Sequence, residues 1–260
     1  MIPLHDSSLP VDDPPFPSRR LGWGIFALAM VILVGCFAID RPVYEWFHAN
    51  WNINTRPIPD HLKLATRMMR SLEDWGENIF IACVLYAMWF LDRRHRSRVV
   101  LLIGTALLAT LPVELVKRVV GRQRPDQTEG RTVLHGPSFW NEGGDYQSFP
   151  SGHTASAAAY SGSLATFYPP LRPVAVGLAV GCGASRIWKE RHFLSDCWAG
   201  GSLGFALAFY FPRLVAVRRW SKNFDEWASS LSSSSAARPI SIPGTPKKEG
   251  ETPNPTRQVA

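Results

Sequence analysis

The sequence predicts an all-α, polytopic membrane protein whose core is a bundle of six transmembrane helices. Three observations point there. Apolar residues gather in long blocks, basic residues cluster at the ends of those blocks, and both chain termini have compositions that cannot build a core. The mean hydropathy of −0.05 conceals this pattern, because two polar tails dilute the apolar blocks.

Residues 1–18 are rich in proline and show no helical period, so they read as a disordered tail. Residues 21–39, LGWGIFALAMVILVGCFAI, contain no charge and are long enough to cross a bilayer as a helix. Further spans are predicted at 76–91, 99–116, 153–168, 171–188 and 195–217. The second, fourth and fifth of these are shorter or richer in small residues. Glycine and alanine in the last three (SAAAYSGSLA, GLAVGCGAS, AGGSLGFALA) favour close helix packing. Pro112 falls inside the third span, where neighbouring helices tolerate a kink. Residues 221–260 contain SSLSSSS and PGTPKKEGETPNPT and are expected to be disordered. The organisation is therefore a tail (1–18), a membrane domain (19–220) and a second tail (221–260).

The net charge of +7 does not indicate a nucleic-acid partner. That function needs a clustered basic face on a soluble module, whereas these cations flank apolar segments. The short loop 92–98, DRRHRSR, the pair Arg19–Arg20, and the group Arg213, Arg218, Arg219 and Lys222 fall on one side of six spans. The positive-inside rule makes that side cytoplasmic, with both termini, in an inner cell membrane. The four cysteines, Cys36, Cys83, Cys182 and Cys197, lie in or beside apolar stretches without metal-like or disulfide-like spacing. They read as packing residues. Leu33-Val34-Gly35-Cys36 resembles a lipoprotein cleavage box, but the long proline-rich leader and the apolar continuation after Cys36 argue against processing.

Three polar clusters interrupt the membrane pattern, all on the predicted non-cytoplasmic side. In the first, Lys117 and Arg124 are seven residues apart, two turns of a continuing helix, and Pro125 then turns the chain away. Two cations aimed at one point invite an anion. In the second, Pro150-Ser151-Gly152-His153 precedes an apolar helix. Ser151 is placed as its N-cap, Gly152 permits close approach to the backbone, and the helix amino end attracts phosphate. His153 stands beside it as a proton donor or acceptor. In the third, His192 and Asp196 lie four residues apart, and Arg186 supplies a forked cation suited to phosphate oxygens. A carboxylate on one imidazole nitrogen fixes the tautomer and frees the other nitrogen to attack.

K-x6-R-P at 117–125, P-S-G-H at 150–153 and S-R-x5-H-x3-D at 185–196 together resemble the signature of the type 2 phosphatidic acid phosphatase superfamily. That superfamily also contains bacterial acid phosphatases and vanadium haloperoxidases. The resemblance implies a lipid phosphate or diphosphate phosphatase, with no metal and no cofactor. In it His192 is the nucleophile that forms a phosphohistidine, Asp196 orients it, and His153 protonates the leaving alkoxide and later activates water. Lys117, Arg124, Arg186, Ser151 and the backbone of Gly152 hold the phosphate oxygens. A phosphotransferase would use the same residues with a different acceptor, and a haloperoxidase the same anion site. The oligomeric state is not encoded. Arg118, Arg122, Lys189 and Arg191 read as solvated interfacial charge, and Trp46, Trp51, Trp75 and Trp140 as membrane-interface anchors. The loop 126–149 has the aromatic content of a lid lying on the membrane.

Overall fold

A computed structural model describes residues 18–51, 60–76, 78–137 and 146–236. Residues 1–17 and 237–260 of the predicted tails, and Trp140 with 138–145 of the predicted lid, lie outside the described residues. The helices are α1 (Arg19–Trp51), α2 (Asp60–Asp74), α3 (Asn78–Leu91), α4 (Ser97–Val120) and the single turn α5 (Pro125–Thr128). They continue as α6 (Gly152–Phe167), α7 (Arg172–Trp188), α8 (Leu194–Tyr210) and α9 (Val215–Ala236).

Five predicted spans coincide with one helix each, α1, α3, α4, α6 and α7, and the sixth, 195–217, covers α8 and runs on into the start of α9. Among the described residues, α1 and α4 are each long and apolar enough to cross a membrane, and α8 with α9 would form a third such span if taken together across their 67° bend. The outward faces match a hydrocarbon surrounding. Trp23, Phe26, Val31 and Val34 on α1, Leu107, Leu111 and Leu115 on α4, and Val174 and Val180 on α7 are all exposed large apolar residues.

The sequence reading needs correction in several places. α1 runs well past residue 39, to Trp51. The last span ends at Tyr210, because Pro212 cannot continue the helix and the chain turns there. Residues 221–236 are helical rather than a disordered tail: Trp220, Phe224, Trp227 and Leu231 recur at helical spacing, a stripe that the serine-rich composition hides. The cysteines are free, with Cys36, Cys182 and Cys197 buried as packing residues, whereas Cys83 is exposed. Trp75 is buried, not interfacial, and its indole Nε1 donates to Ser161 Oγ at 2.8 Å.

The helix α6 is the centre of the bundle, packed by α4, α7 and α8. Ala155, Ala157, Ala158 and Ala159 on it are buried, and glycines on α8 let that helix approach its backbone. A Cβ on Gly204 would lie 2.3 Å from the Ala155 carbonyl oxygen, and one on Gly200 would lie 2.3 Å from that of Ser151. At the end of α4 remote from Lys117, Asp225 of α9 accepts from the Ser97 backbone N–H at 2.8 Å and its hydroxyl at 2.7 Å. Nearby, Asp92 accepts from Arg98 at 2.9 Å and from the Tyr168 hydroxyl at 2.6 Å. These bonds tie α9, α4 and α6 at that end.

Gly204→Ala should therefore destabilise the protein by about 1–3 kcal/mol, the usual cost of overpacking. Gly177→Ala, where nothing lies within 4 Å of the added carbon, should be nearly neutral. Thermal unfolding in detergent compares the two, and equal melting temperatures would refute the tight α6–α8 contact.

Candidate active site

The site begins where α4 stops. Gly121 takes a left-handed conformation (φ 57°) and its N–H bonds back to Lys117 O. A Cβ there would stand 2.3 Å from the Gly136 carbonyl oxygen, so the turn requires glycine. The helix thus ends before Arg124, which is the extended residue (φ −76°, ψ 152°) ahead of α5. The expectation that Lys117 and Arg124 share a helix face is corrected: a turn, not helical periodicity, sets their relation.

Ser151 caps α6, its hydroxyl accepting from the Thr154 hydroxyl at 2.9 Å and more distantly from the Thr154 N–H. The backbone N–H of Ser151 donates to Asp196 O at 3.0 Å, which joins the amino end of α6 to that of α8. Lys117 Nζ would lie 3.2 Å from a Cβ on Gly152, so the ammonium stands over the first turn of α6. It is held there by Glu114 at 2.7 Å. Half-buried His153 follows in the same turn.

His192 lies between α7 and α8, not on a helix face shared with Asp196. Its Nδ1 donates to the Ser148 carbonyl at 2.8 Å, and Asp196 Oδ2 is 3.7 Å from the same nitrogen. The direct imidazole–carboxylate bond expected from the sequence is thus replaced by a link through Ser148, whose hydroxyl donates to Asp196 Oδ2 at 2.5 Å. That oxygen also accepts from the Phe193 N–H at 2.8 Å. The donor at Nδ1 leaves Nε2 as the lone-pair nitrogen. Burial lowers the His192 pKa to about 4, with the Arg186 and Arg124 charges acting in the same direction and Asp196 opposing them. Those two arginines are therefore close enough for their charge to reach the imidazole.

The Arg186 guanidinium is buried and paired with Glu73 of α2, and Lys189 binds the other oxygen of the same carboxylate. Arg191 pairs with Asp126 at 3.0 Å. Arg122 departs furthest from the solvated charge that its sequence position suggests. It is fully buried, and Nη1 donates to Asp196 Oδ1 at 2.6 Å and Ser195 Oγ at 2.7 Å. Its Nη2 donates to Asp40 Oδ2 at 2.8 Å and Thr132 Oγ1 at 2.9 Å. The guanidinium also lies 3.8 Å from the Phe193 ring centroid.

The structure gathers Lys117, Ser151, Gly152, His153, Arg124, Arg186, His192 and Asp196 around the meeting point of α6 and α8. Sequence reasoning missed Asp40, Glu73, Arg122 and Ser148. Only Asp40 left a signal: it is the charge that ends the uncharged stretch 21–39, and an ionisable group at that position is costly without a partner.

Residues 98–220 match the family model described as the PAP2 superfamily. The lipid A 1-phosphatase of Rhizobium etli is 28% identical over 162 residues, which cover 56% of this chain and 68% of that protein. The protein of the same name from Rhizobium johnstonii is 30% identical over 113 residues, 44% of each chain. The crystal structure of a transmembrane PAP2 type phosphatidylglycerolphosphate phosphatase from Bacillus subtilis covers 78% of this chain and 94% of its own. It shares 21% identity with a TM-score of 0.52, a likeness of fold.

Glu73 pairs with Arg186, a cation that the sequence reading gives to phosphate, and with Lys189. Glu73→Gln should tighten orthovanadate binding on the order of tenfold, the scale of one partly buried charge pair. Isothermal titration on detergent-solubilised protein measures it, and weaker binding would instead make Glu73 a holder of Arg186.

Proposed function

The chain belongs to the PAP2 superfamily, and on that premise we propose that it is a lipid phosphate phosphatase working through a phosphohistidine on His192. The observation that carries this reading is the His192 ring itself. Its Nδ1 proton is committed to Ser148 O, so Nε2 is unprotonated, and it stands among Arg124, Arg186 and the amino end of α6. That is the pairing an attack on phosphorus needs: a neutral nitrogen nucleophile and fixed positive charge for the equatorial oxygens.

In the first step the Nε2 lone pair bonds to phosphorus and the bond from phosphorus to the lipid oxygen breaks. His153 gives its proton to the departing alkoxide. In the second step neutral His153 takes a proton from water, the resulting hydroxide attacks phosphorus, and the N–P bond breaks to release orthophosphate. Lys117, Arg124, Arg186 and the α6 N–H groups hold the phosphoryl oxygens throughout, in the role that a bound cation plays elsewhere. Ser148, fixed by Asp196, keeps the imidazole turned and its Nδ1 proton in place.

A lipid substrate fits the outward apolar faces of α1 and α4, which let an acyl chain remain in the bilayer while its headgroup reaches the site. The two Rhizobium relatives make a lipid A 1-phosphate the first compound to test, beside phosphatidate, phosphatidylglycerol phosphate and undecaprenyl diphosphate. The dense arginine loop 92–98 favours a site that opens on the periplasmic or external side of an inner membrane.

The test is phosphate release from that panel by purified protein in mixed micelles. Activity should survive EDTA and be inhibited by orthovanadate; loss with EDTA and recovery with Mg²⁺ would overturn the metal-free mechanism. Because His192 is protonated only below about pH 4, formation of the phosphoenzyme should fall as pH drops through about 4, not through the ordinary histidine value near 6.5. His192→Ala should abolish turnover on every substrate. His153→Ala should lose about 10²–10⁴-fold on a lipid phosphate, whose alkoxide is a poor leaving group, and far less on an aryl phosphate. Single-turnover kinetics on both substrates would expose a reversal of the two roles.

A further inference from the structure

The geometry points to Asp40 and Arg122 as positioning residues for the His192 side of the site, so that α1 is part of the catalytic unit. This rests on the phosphohistidine reading above. None of the sequence motifs includes Asp40, which is separated from Arg122 by 82 residues and from Ser195 by 155.

Every polar atom of the Asp40 carboxylate is used. Oδ1 accepts from the Ser195 N–H at 2.9 Å, while Oδ2 accepts from the Ser195 hydroxyl at 2.5 Å and from Arg122 at 2.8 Å. Arg122 then passes this constraint on through its other nitrogen to Asp196 Oδ1. The remaining oxygen, Asp196 Oδ2, holds Ser148 and the Phe193 N–H. The path therefore runs from α1 through Arg122 and Asp196 to Ser148 and ends at the Nδ1 proton of His192. A planar fork can meet two carboxylates at once, which the single ammonium of lysine cannot.

Two buried carboxylates sharing one buried cation leave that cluster one negative charge. An excess of this sign stabilises an imidazolium, and therefore the phosphohistidine, whose ring carries positive charge. The charged and titratable groups facing His192 are Asp196 from α8, Arg186 from α7, Arg124 from the segment before α5, and Asp40 and Tyr44 from α1. Removing Arg122 makes the field at His192 more negative, and removing the Asp40 charge makes it less so. The two changes act on the same proton with opposite sign.

The experiment follows the His192 ring directly by ¹⁵N NMR of the full chain in nanodiscs, with His192→Gln to assign its signal, alongside kcat on an aryl phosphate. In Arg122→Gln the His192 midpoint should rise by about one pH unit, and in Asp40→Asn it should fall by a similar amount, as expected for gain or loss of a nearby opposite charge. Only the signal of the folded protein is read, because an unfolded chain would titrate near the ordinary histidine value of about 6.5 and mimic a rise. Arg122→Lys keeps the charge, so its midpoint should stay near wild type while kcat drops about 10- to 100-fold, the range for removing a ligand's supporting hydrogen bonds. Unmoved midpoints in both neutral variants, or wild-type kcat in Arg122→Lys, would overturn the proposal. Should Arg122→Gln not fold, the lysine variant and Asp40→Asn decide it alone. Opposed midpoint shifts in a protein that hydrolyses no phosphate would uphold the positioning pair and refute the phosphatase reading.

Discussion

A methyl group at Gly200 would stand 2.3 Å from the Ser151 carbonyl oxygen, and this absence of space between α6 and α8 is what the site is built on. Contact at backbone distance lets the Ser151 N–H reach Asp196 O, which locks the amino ends of two helices side by side. Each end carries the positive end of a helix dipole, and the first N–H groups find side-chain acceptors, Ser151 Oγ on α6 and Asp40 Oδ1 on α8. Any larger residue at Gly200 or Gly204 would separate the two helices and part the first turn of α6 from the His192 segment. The run of alanines on α6 and of glycines on α8 thus has a chemical consequence as well as a packing one.

A second constraint follows from gathering so many cations in a small volume. Burying like charges together costs several kcal/mol per ion unless each finds a partner. The protein supplies those partners from outside the cluster: Glu73 for Arg186 and Lys189, Glu114 for Lys117, Asp126 for Arg191, and Asp40 with Asp196 for Arg122. These pairs are not equivalent. Arg122 and its two carboxylates are sealed from solvent, whereas the Glu114 and Lys189 side chains are partly exposed. The sealed pairs lie inside the scaffold and the exposed ones at its surface.

This division also separates what the sequence reveals from what it hides. The helices α1, α3, α4, α6, α7 and α8 were legible because apolar blocks and small-residue runs carry their own period, although among the described residues only α1 and α4 are each long and apolar enough to cross a membrane. The three polar clusters were legible because each is a short local string. Arg122 sits inside one of those strings, two residues before Arg124, yet its role could not be read there. Its partners come from α1 and α8, and the turn at Gly121 that points it inward depends on Gly136. Glu73 lies on α2, a short amphipathic helix with no apolar block to announce it, and Arg186 is 113 residues away. Spacing in sequence fixes neighbours within a helix; it says nothing of which distant carboxylate a buried arginine will meet. The Asp196 contact shows the same limit locally, since a four-residue spacing implies a shared helix face only when both residues lie in the helix, and His192 does not.

The depth of the site follows from α1. At 1.5 Å per residue its 33 residues extend about 50 Å, against a hydrocarbon core of about 30 Å. The uncharged stretch 21–39 matches that thickness, and Asp40 is the next residue, so the Asp40–Arg122–Asp196 cluster lies just past the segment of α1 long and apolar enough to cross. The rest of α1 stands beyond that level, where His48 meets Glu190 at 3.0 Å and Trp51 packs on Trp188 with ring centroids 4.5 Å apart. One helix therefore carries both the long apolar segment and the contacts that reach the His192 side of the bundle, through Asp40, His48 and Trp51.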